Sequence, residues 1–234
     1  MELIRRVWTS SLGKKYVMAL SGCALFLFVV GHMLGNLQIF LGPEVLNRYA
    51  HFLQSTPEIL WPARLGLLTL VCLHVITAFR LWRENRGARS VSYAVYEPLA
   101  ATYAGRTMVV SGAIVAVFIV YHLLHFTVQT PAVNLTGQDF ASFRTSEQHR
   151  DVYRMVVVGF RHPGVSAFYI LGMALLCLHL RHGVQALFQS LGLRNEVWRG
   201  AVNTLAWTAA ILIFLGNCSI PVAVLLGLGK EIVK

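Results

Sequence analysis

The chain has 234 residues, of which 56% are hydrophobic and only 13% are charged, and its mean hydropathy is +0.60. A soluble domain carries roughly a quarter charged residues, so this composition excludes an ordinary water-soluble domain and indicates that a lipid bilayer is part of the solvent. The net charge of +10 resembles that of nucleic-acid-binding proteins. The basic residues, however, stand at the ends of apolar runs, as membrane topology requires, and nucleic-acid binding is therefore not expected.

The sequence predicts an all-α integral membrane protein, a single domain over residues 1–234 with five transmembrane helices. A bilayer core of about 30 Å takes around 20 helical residues, and runs this long satisfy their backbone only as helices. Pro62 and Pro163 are predicted at helix starts, where a missing N–H costs little, and Pro221 is predicted to bend the last helix. The predicted spans are Tyr16–Leu41, Trp61–Trp82, Thr107–Thr130, Pro163–Phe188 and Ala201–Leu228.

The basic residues that flank the spans predict the orientation. With the N-terminus in the cytoplasm, twelve of the 20 Lys and Arg residues fall on the inner side and eight on the outer side. This bias favours an N-terminus inside and a C-terminus outside. The inner set is Arg5, Arg6, Lys14, Lys15, Arg80, Arg83, Arg86, Arg89, Arg106, Arg181, Arg194 and Arg199.

Histidines at bilayer depth are the main functional signal, because ionisable side chains there are costly and usually have partners. The first four spans carry them, as His32, His74, His122 with His125, and His179 with His182. A helix rises about 1.5 Å per residue, so His32 and His122 are predicted near the outer face, and His74 and His179 near the inner face. The four therefore form two layers, one from the first and third spans and one from the second and fourth.

Two imidazoles that face each other from different helices are the ligand set of a six-coordinate haem iron. His125 and His182 lie one turn beyond His122 and His179 and match the opposite layer less well, so His122 and His179 are the predicted ligands. Gly31 and Gly35 around His32 suit a porphyrin between helices, although ordinary small-residue packing explains them equally well. Arg80, Arg181 and His182 are candidates to bind the haem propionates, or serve as snorkelling topology markers.

The chain contains no C-x-x-C-H motif and no iron–sulfur cysteine spacing, so the haems are predicted to be b-type, with other redox centres in partner subunits. No phosphate-binding loop and no large hydrophilic domain is present for a soluble substrate. Two haems at different depths are suited to electron transfer between a membrane surface and a quinone. The predicted role is therefore electron transfer within a larger enzyme.

Several motifs extend this prediction to a family. SSLGKKYVMALSG, VVGHMLGN, NRYAHFLQSTPEILWPARL, LHVITAFRL, YHLLHFT and LCLHLRHGVQALFQSLGL occur in this order. Together they resemble the cytochrome b558 membrane subunit of succinate:quinone oxidoreductases and fumarate reductases, in its single-polypeptide, five-helix, di-haem form. The resemblance covers nearly the whole chain and is weakest over residues 132–160 and in the fifth helix.

The resemblance implies axial ligands at His32, His74, His122 and His179, with the first four helices forming the haem-binding bundle. It implies a flavoprotein subunit with FAD and an iron–sulfur subunit on the cytoplasmic face of a bacterial cytoplasmic membrane. It also implies menaquinone as the electron acceptor, as in the respiratory complex II that links the tricarboxylic acid cycle to the respiratory chain. The direction of the reaction and any further oligomerisation of the complex stay open.

Quinone reduction needs proton donors beside an apolar pocket near a haem edge. His51, Gln54 and Glu58 lie between the first two spans, near the His32–His122 layer, and Glu58 is the candidate proton-transfer group. A solvated loop carboxylate explains Glu58 equally well, and a second site near Ser21 or Arg80 is an alternative.

Two other functions fit parts of the pattern. One is a di-haem cytochrome b subunit of another respiratory complex, of the hydrogenase or formate dehydrogenase type. The other is a haem-free transporter in which the histidines relay protons.

Overall fold

The computed structural model of the chain describes residues 2–88 and 108–233. These residues are 84% helical, and no strand occurs among them. Thr107, the predicted start of the third span, lies outside the described residues, as do Arg89 and Arg106 of the predicted inner set. The predicted all-helical class is confirmed for the described part of the chain.

The helices are numbered here in chain order over the described residues. They are α1 (Glu2–Thr9), α2 (Ser11–Asn36), α3 (Pro43–Gln54), α4 (Pro57–Gly87), α5 (Met108–His122), α6 (Pro131–Asn134), α7 (Val152–Arg161), α8 (Pro163–Ser190) and α9 (Arg199–Leu226). Short 3₁₀ turns cover Leu37–Leu41, Phe140–Ser142 and Lys230–Val233, and a π-helical turn over Leu123–Thr127 continues α5.

Five of the helices, α2, α4, α5, α8 and α9, are long and apolar enough to cross a membrane. Their number and order agree with the predicted spans. The helical segments begin earlier than predicted in the first, second and fifth spans, and they end earlier than predicted in the third and fifth. One prediction is wrong: Pro62 lies inside α4, because this helix begins at Pro57, which takes the first-turn position instead. Pro163 begins α8, as predicted, and Pro221 lies within α9, where the bend stays a prediction.

The described residues form two compact units, and each of the five long helices contributes to both. The first unit comprises the described parts of Met1–Phe28, Arg64–Ala113 and Leu178–Ala210. Lys14, only 3% exposed, pairs there with Glu84 at 2.6 Å. The guanidinium groups of Arg80 and Arg181 lie over the rings of Trp8 and Trp207. Charged side chains of this unit are thus held by ion-pair and cation–π contacts.

The second unit comprises the described parts of Val29–Ala63, Ile114–Cys177 and Ile211–Lys234. Its core includes residues outside the long helices. Asn47 of α3 donates to Asp151 and accepts from the backbone N–H of Tyr153, while Asp151 caps α7. These bonds attach the amphipathic helix α7 to α3. The main buried cluster is Ile39, Leu46, Phe118, Tyr153, Val157, Phe160, Val165, Tyr169, Ile220 and Val224.

Candidate functional site

The second unit brings His32 of α2 and His122 of α5 together. Their ring centroids are 5.7 Å apart, and the ring planes are nearly perpendicular at 85°. His32 is exposed and His122 is partly buried. Both side chains therefore keep part of their surface accessible.

The first unit contains the matching pair, His74 of α4 and His179 of α8. Their ring centroids are 6.4 Å apart with an interplanar angle of 69°. Both rings are partly buried. These two pairs are the first-with-third and second-with-fourth combinations predicted from the sequence.

The hydrogen bonds of three of the rings leave the same nitrogen available. Hydroxyl groups lie at the Nδ1 atoms of His74, His179 and His122, at 3.2 Å, 3.3 Å and 3.4 Å. When Nδ1 carries the hydrogen and donates it, the lone pair is on Nε2, the form in which a histidine binds a metal. The Nε2 atoms of these three histidines then have the free lone pair that binds a metal.

His32 has a different environment. The side-chain amide of Asn36, one turn further along α2, lies 3.1 Å from its Nε2. An amide N–H donates, so Nε2 again carries the lone pair. Iron binding through this atom requires the Asn36 bond to break.

The distance within each pair fits one iron between the two rings. A bond from an imidazole nitrogen to a first-row metal is about 2 Å long, so two axial rings on one ion have centroids roughly 6 Å apart. The observed 5.7 Å and 6.4 Å are close to that value. Each pair supplies two donors, which is the number a haem iron takes beyond its four porphyrin nitrogens. Within the described residues, no group of three or more His, Cys, Asp or Glu side chains could hold a metal ion.

His125 occupies a site unlike that of His122. It is fully buried, its ring stacks on Phe126, and its Nδ1 lies 3.0 Å from the Tyr169 hydroxyl. Its Nε2 has no hydrogen-bond partner and lies beside Gly159, where an added Cβ would be 3.2 Å away. The structure places His125 among aromatic side chains of the second unit.

The candidate propionate ligands all belong to the first unit. Arg80, Arg83 and Glu84 line a cavity of about 330 Å³. The Nε of Arg181 is buried without a hydrogen-bond partner, while its guanidinium group lies 3.9 Å from the centroid of the Trp207 ring. His182 is partly buried close to Arg181. Their role toward an anionic group stays a prediction.

The glycines named from the sequence differ from one another. An added Cβ on Gly31 would meet nothing within 4 Å, so this position leaves open space on α2. An added Cβ on Gly35 would lie 2.7 Å from the Tyr49 hydroxyl, so Gly35 admits a side chain of α3. Packing against α3 accounts for Gly35, and a porphyrin contact there stays a prediction.

The quinone candidates lie at the surface of the second unit. The ring of His51 stacks on that of His149, with centroids 3.7 Å apart. Nδ1 of His149 lies 3.4 Å from a carboxylate oxygen of Glu147. Gln54 ends α3, and Glu58 is exposed in the first turn of α4. Their part in quinone chemistry stays a prediction.

Sequence reasoning missed the hydroxyl groups that contact the histidines. The sequence links Ser21 only to an alternative quinone site and gives no sign of a role for Tyr169. A signal was present, because a Ser-Gly pair precedes both His32 and His122 by the same spacing, in SGCALFLFVVGH and SGAIVAVFIVYH. From serine to histidine this is eleven residues, close to three helical turns, so each serine lies on the same helix face as its histidine. Thr77, fully buried one turn after His74 with its hydroxyl unpartnered, was also missed.

Comparison of the chain with protein-family models, curated proteins and solved structures finds no match in any of the three.

Proposed function

We propose that this chain is the di-haem b membrane-anchor subunit of a succinate:quinone oxidoreductase or fumarate reductase, and that it passes electrons between an iron–sulfur subunit and a membrane quinone. The observation that carries the proposal is the pair of facing imidazoles in each unit, His32 with His122 and His74 with His179, at spacings suited to one iron each. The succession of motifs around these histidines supports the choice of complex.

In this proposal the four histidines hold two haem b groups, which supply reversible one-electron transfer. The surrounding residues set the conditions. The hydroxyl contacts at Nδ1 of His74, His122 and His179 keep Nε2 as the nitrogen that binds iron. In the bilayer, the apolar surroundings of the spans would limit access of water to each pair, which together with axial ligation tunes the potential.

The first unit is the proposed docking side for the flavoprotein and iron–sulfur subunits. It contains the described basic residues of the predicted inner set, among them Arg80, Arg83, Arg181 and Arg194. The chain would lie in the bacterial cytoplasmic membrane with this side toward the cytoplasm, in keeping with the positive-inside rule. The proposed enzyme activity belongs to the assembled complex, and this chain contributes electron transfer and part of the quinone site.

Menaquinone is the proposed electron partner, with His51, Gln54 and Glu58 as candidate contacts and Glu58 as the candidate proton-transfer group. His51 and Glu58 flank the link between α3 and α4 and are accessible to a ligand from the membrane surface. A carboxylate exchanges protons readily with a quinone oxygen when the two lie within hydrogen-bond reach.

The test is isolation of the chain from its native membrane under mild detergent. The proposal predicts two co-purified partners, one with flavin and one with iron–sulfur clusters, and succinate-dependent reduction of a menaquinone analogue. Partners that carry a molybdenum or nickel centre would assign the chain to the formate dehydrogenase or hydrogenase type. A purified chain without any haem would favour the remaining alternative, a transporter in which the histidines relay protons.

A further inference from the structure

Two serines in the first unit make the same contact with the two histidines of its pair. The Oγ of Ser21, on α2, lies 3.2 Å from Nδ1 of His74, and the Oγ of Ser111, on α5, lies 3.3 Å from Nδ1 of His179. Ser21 is only 3% exposed. The contact is therefore repeated on both sides of one histidine pair, from two helices that do not carry the histidines of that pair.

The hydrogen of each serine hydroxyl already has an acceptor in its own helix. Ser21 donates to the carbonyl of Val17 at 2.7 Å, and Ser111 donates to the carbonyl of Met108 at 3.1 Å. A hydroxyl has one hydrogen and two lone pairs. When this hydrogen is donated to the helix carbonyl, each Oγ faces the imidazole as an acceptor, and Nδ1 of the ring is the donor.

This direction determines the tautomer of both rings. Nδ1 of His74 and His179 carries the hydrogen, so Nε2 has the free lone pair that a metal requires. Histidine ligands of metals commonly donate their other ring N–H to such an acceptor, which orients the ring and raises its basicity. The serine bonds are therefore those expected of partners to axial ligands.

The glycine after each serine brings the helix close to the same ring. An added Cβ on Gly22 would lie 3.1 Å from Cε1 of His74, and one on Gly112 would lie 3.4 Å from Cε1 of His179. The Ser-Gly pair thus supplies a hydrogen-bond acceptor and an open helix surface at one ring edge. The same arrangement occurs at His74 and at His179. Because two different helices provide it, a chance contact of one helix does not explain it.

We propose that Ser21 and Ser111 are positioning residues that fix the tautomer and ring orientation of His74 and His179 as axial ligands. This inference rests on the proposed function. The serines contact neither iron nor substrate; they act through the imidazoles. Loss of the serine acceptor makes the imidazole less basic, which stabilises oxidised iron less and raises the midpoint potential of that haem. His74 also has a hydrogen-bond partner in the backbone of Met18, so the shift expected from Ser21→Ala is smaller than that from Ser111→Ala.

The test uses Ser21→Ala and Ser111→Ala in the full chain. Redox titration should show the midpoint potential of one haem shifted upward in each variant, with a larger shift in the double variant. The potential of the haem on His32 and His122 should stay unchanged and is the internal reference. Haem affinity at the shifted site should fall by roughly 10-fold, the lower end of the usual effect of removing such a partner. Low-temperature electron paramagnetic resonance of that haem should also change, because it reports the orientation of the axial rings.

Two further variants separate the hydroxyl from general packing. Ser21→Thr keeps a hydroxyl and should restore the wild-type potential. Ser219→Ala is the matched control, since the Ser219 hydroxyl also donates within its helix, to the Gly216 carbonyl at 2.7 Å, but belongs to α9 in the second unit. It should leave both potentials unchanged.

Unshifted potentials in both alanine variants, with two haems bound, would overturn the inference and leave the proposed function intact. Should the alanine variants fail to fold, Ser21→Cys and Ser111→Cys, which replace the hydroxyl by a weak acceptor, carry the same expectation. Failure of these variants as well, with Ser219→Ala folded, would also overturn it, because the hydroxyls would then serve the helix bundle. A wild-type chain without haem would reject the proposed function itself.

Discussion

The distinction between His122 and its neighbour His125 depends on access. His122 is partly buried and faces His32, whereas His125 is fully buried and bonded to Tyr169. We expect His122→Ala to lower the haem content from two to one per chain and His125→Ala to leave two. Pyridine haemochrome assay of the purified variants measures this, provided that both variants fold. Loss of a haem from His125→Ala with none lost from His122→Ala would show that His125, and not His122, is the axial ligand.

The Tyr169 hydroxyl contacts two imidazoles at once, Nδ1 of His125 at 3.0 Å and Nδ1 of His122 at 3.4 Å. A phenol has a single hydrogen, so at most one ring receives it while the other donates to the oxygen. If His122 binds iron through Nε2, its Nδ1 is the donor. The hydrogen-bonded chain then ends at Nε2 of His125, which has no partner. Because no further group among the described residues accepts a proton from Nε2 of His125, these hydrogen bonds favour a fixed network over a proton relay.

From this network we expect Tyr169→Phe to retain both haems and to raise the midpoint potential of the His32–His122 haem alone. The reason is the loss of an acceptor for the N–H of an axial ligand. Tyr121→Phe is the control, because the Tyr121 hydroxyl donates to the Val133 carbonyl at 3.0 Å. Redox titration of both variants makes the comparison. Equal shifts in the two variants would show that Tyr169 has no specific effect.

At the scale of elements, Gly172 determines how closely α8 approaches α5. An added Cβ at this position would lie 2.6 Å from Cε2 of Phe118, a buried ring of the second unit that also stacks near His122. Small residues at such a crossing let helix backbones approach in a membrane protein. In this structure the missing side chain of Gly172 leaves room for the ring of Phe118.

We expect Gly172→Ala to lower the unfolding temperature, because overpacking a well-filled contact costs about 1–3 kcal/mol. Gly31→Ala is the matched control, since an added Cβ there meets nothing within 4 Å. Thermal unfolding of the two variants in detergent, followed by circular dichroism, gives the comparison. Equal stability of both variants would contradict the close packing of α8 against Phe118.

Hydrophobic runs were enough to predict the long helices, because a bilayer-crossing helix needs an uninterrupted apolar stretch that stands out in the sequence. The same reasoning placed the boundary of α4 too late, since Pro57 and Glu58 are good first-turn residues but not apolar. It also missed α7, whose buried face includes Tyr153, Val157 and Phe160. That helix is short and amphipathic, and its attachment through Asn47 depends on contacts between residues far apart in sequence.

The pairing of the histidines was predicted because depth along a helix follows from residue count. The hydroxyl contacts were not predicted, because they depend on which faces of different helices meet. For Ser21 and Ser111 the repeated spacing to His32 and His122 was visible in the sequence. For Tyr169 no comparable repeat exists, and only the packing of α8 against α5 within the second unit brings its hydroxyl to two imidazoles.

At the scale of the whole molecule, five membrane crossings would place the two ends of the chain on opposite sides of the membrane, because the number of crossings is odd. With the N-terminus in the cytoplasm, a fusion of alkaline phosphatase after residue 234 should be active, and a fusion of a fluorescent protein at the same point should not fluoresce. A phosphatase fusion within the predicted inner loop around Arg89, which lies outside the described residues, should be inactive. The reverse pattern would invert the orientation and move the proposed docking side to the outer face.

The central claim is that two imidazole pairs from alternate helices each hold one haem b. Its most direct test is the dithionite-reduced-minus-oxidised spectrum of the purified chain, with haem quantified per polypeptide. We expect a b-type α-band and two haems in the wild type, one after His32→Ala or His74→Ala, and none when both are replaced. A wild-type chain that folds and carries no b-type band, or that keeps two haems after His32 and His74 are both replaced, would contradict the account.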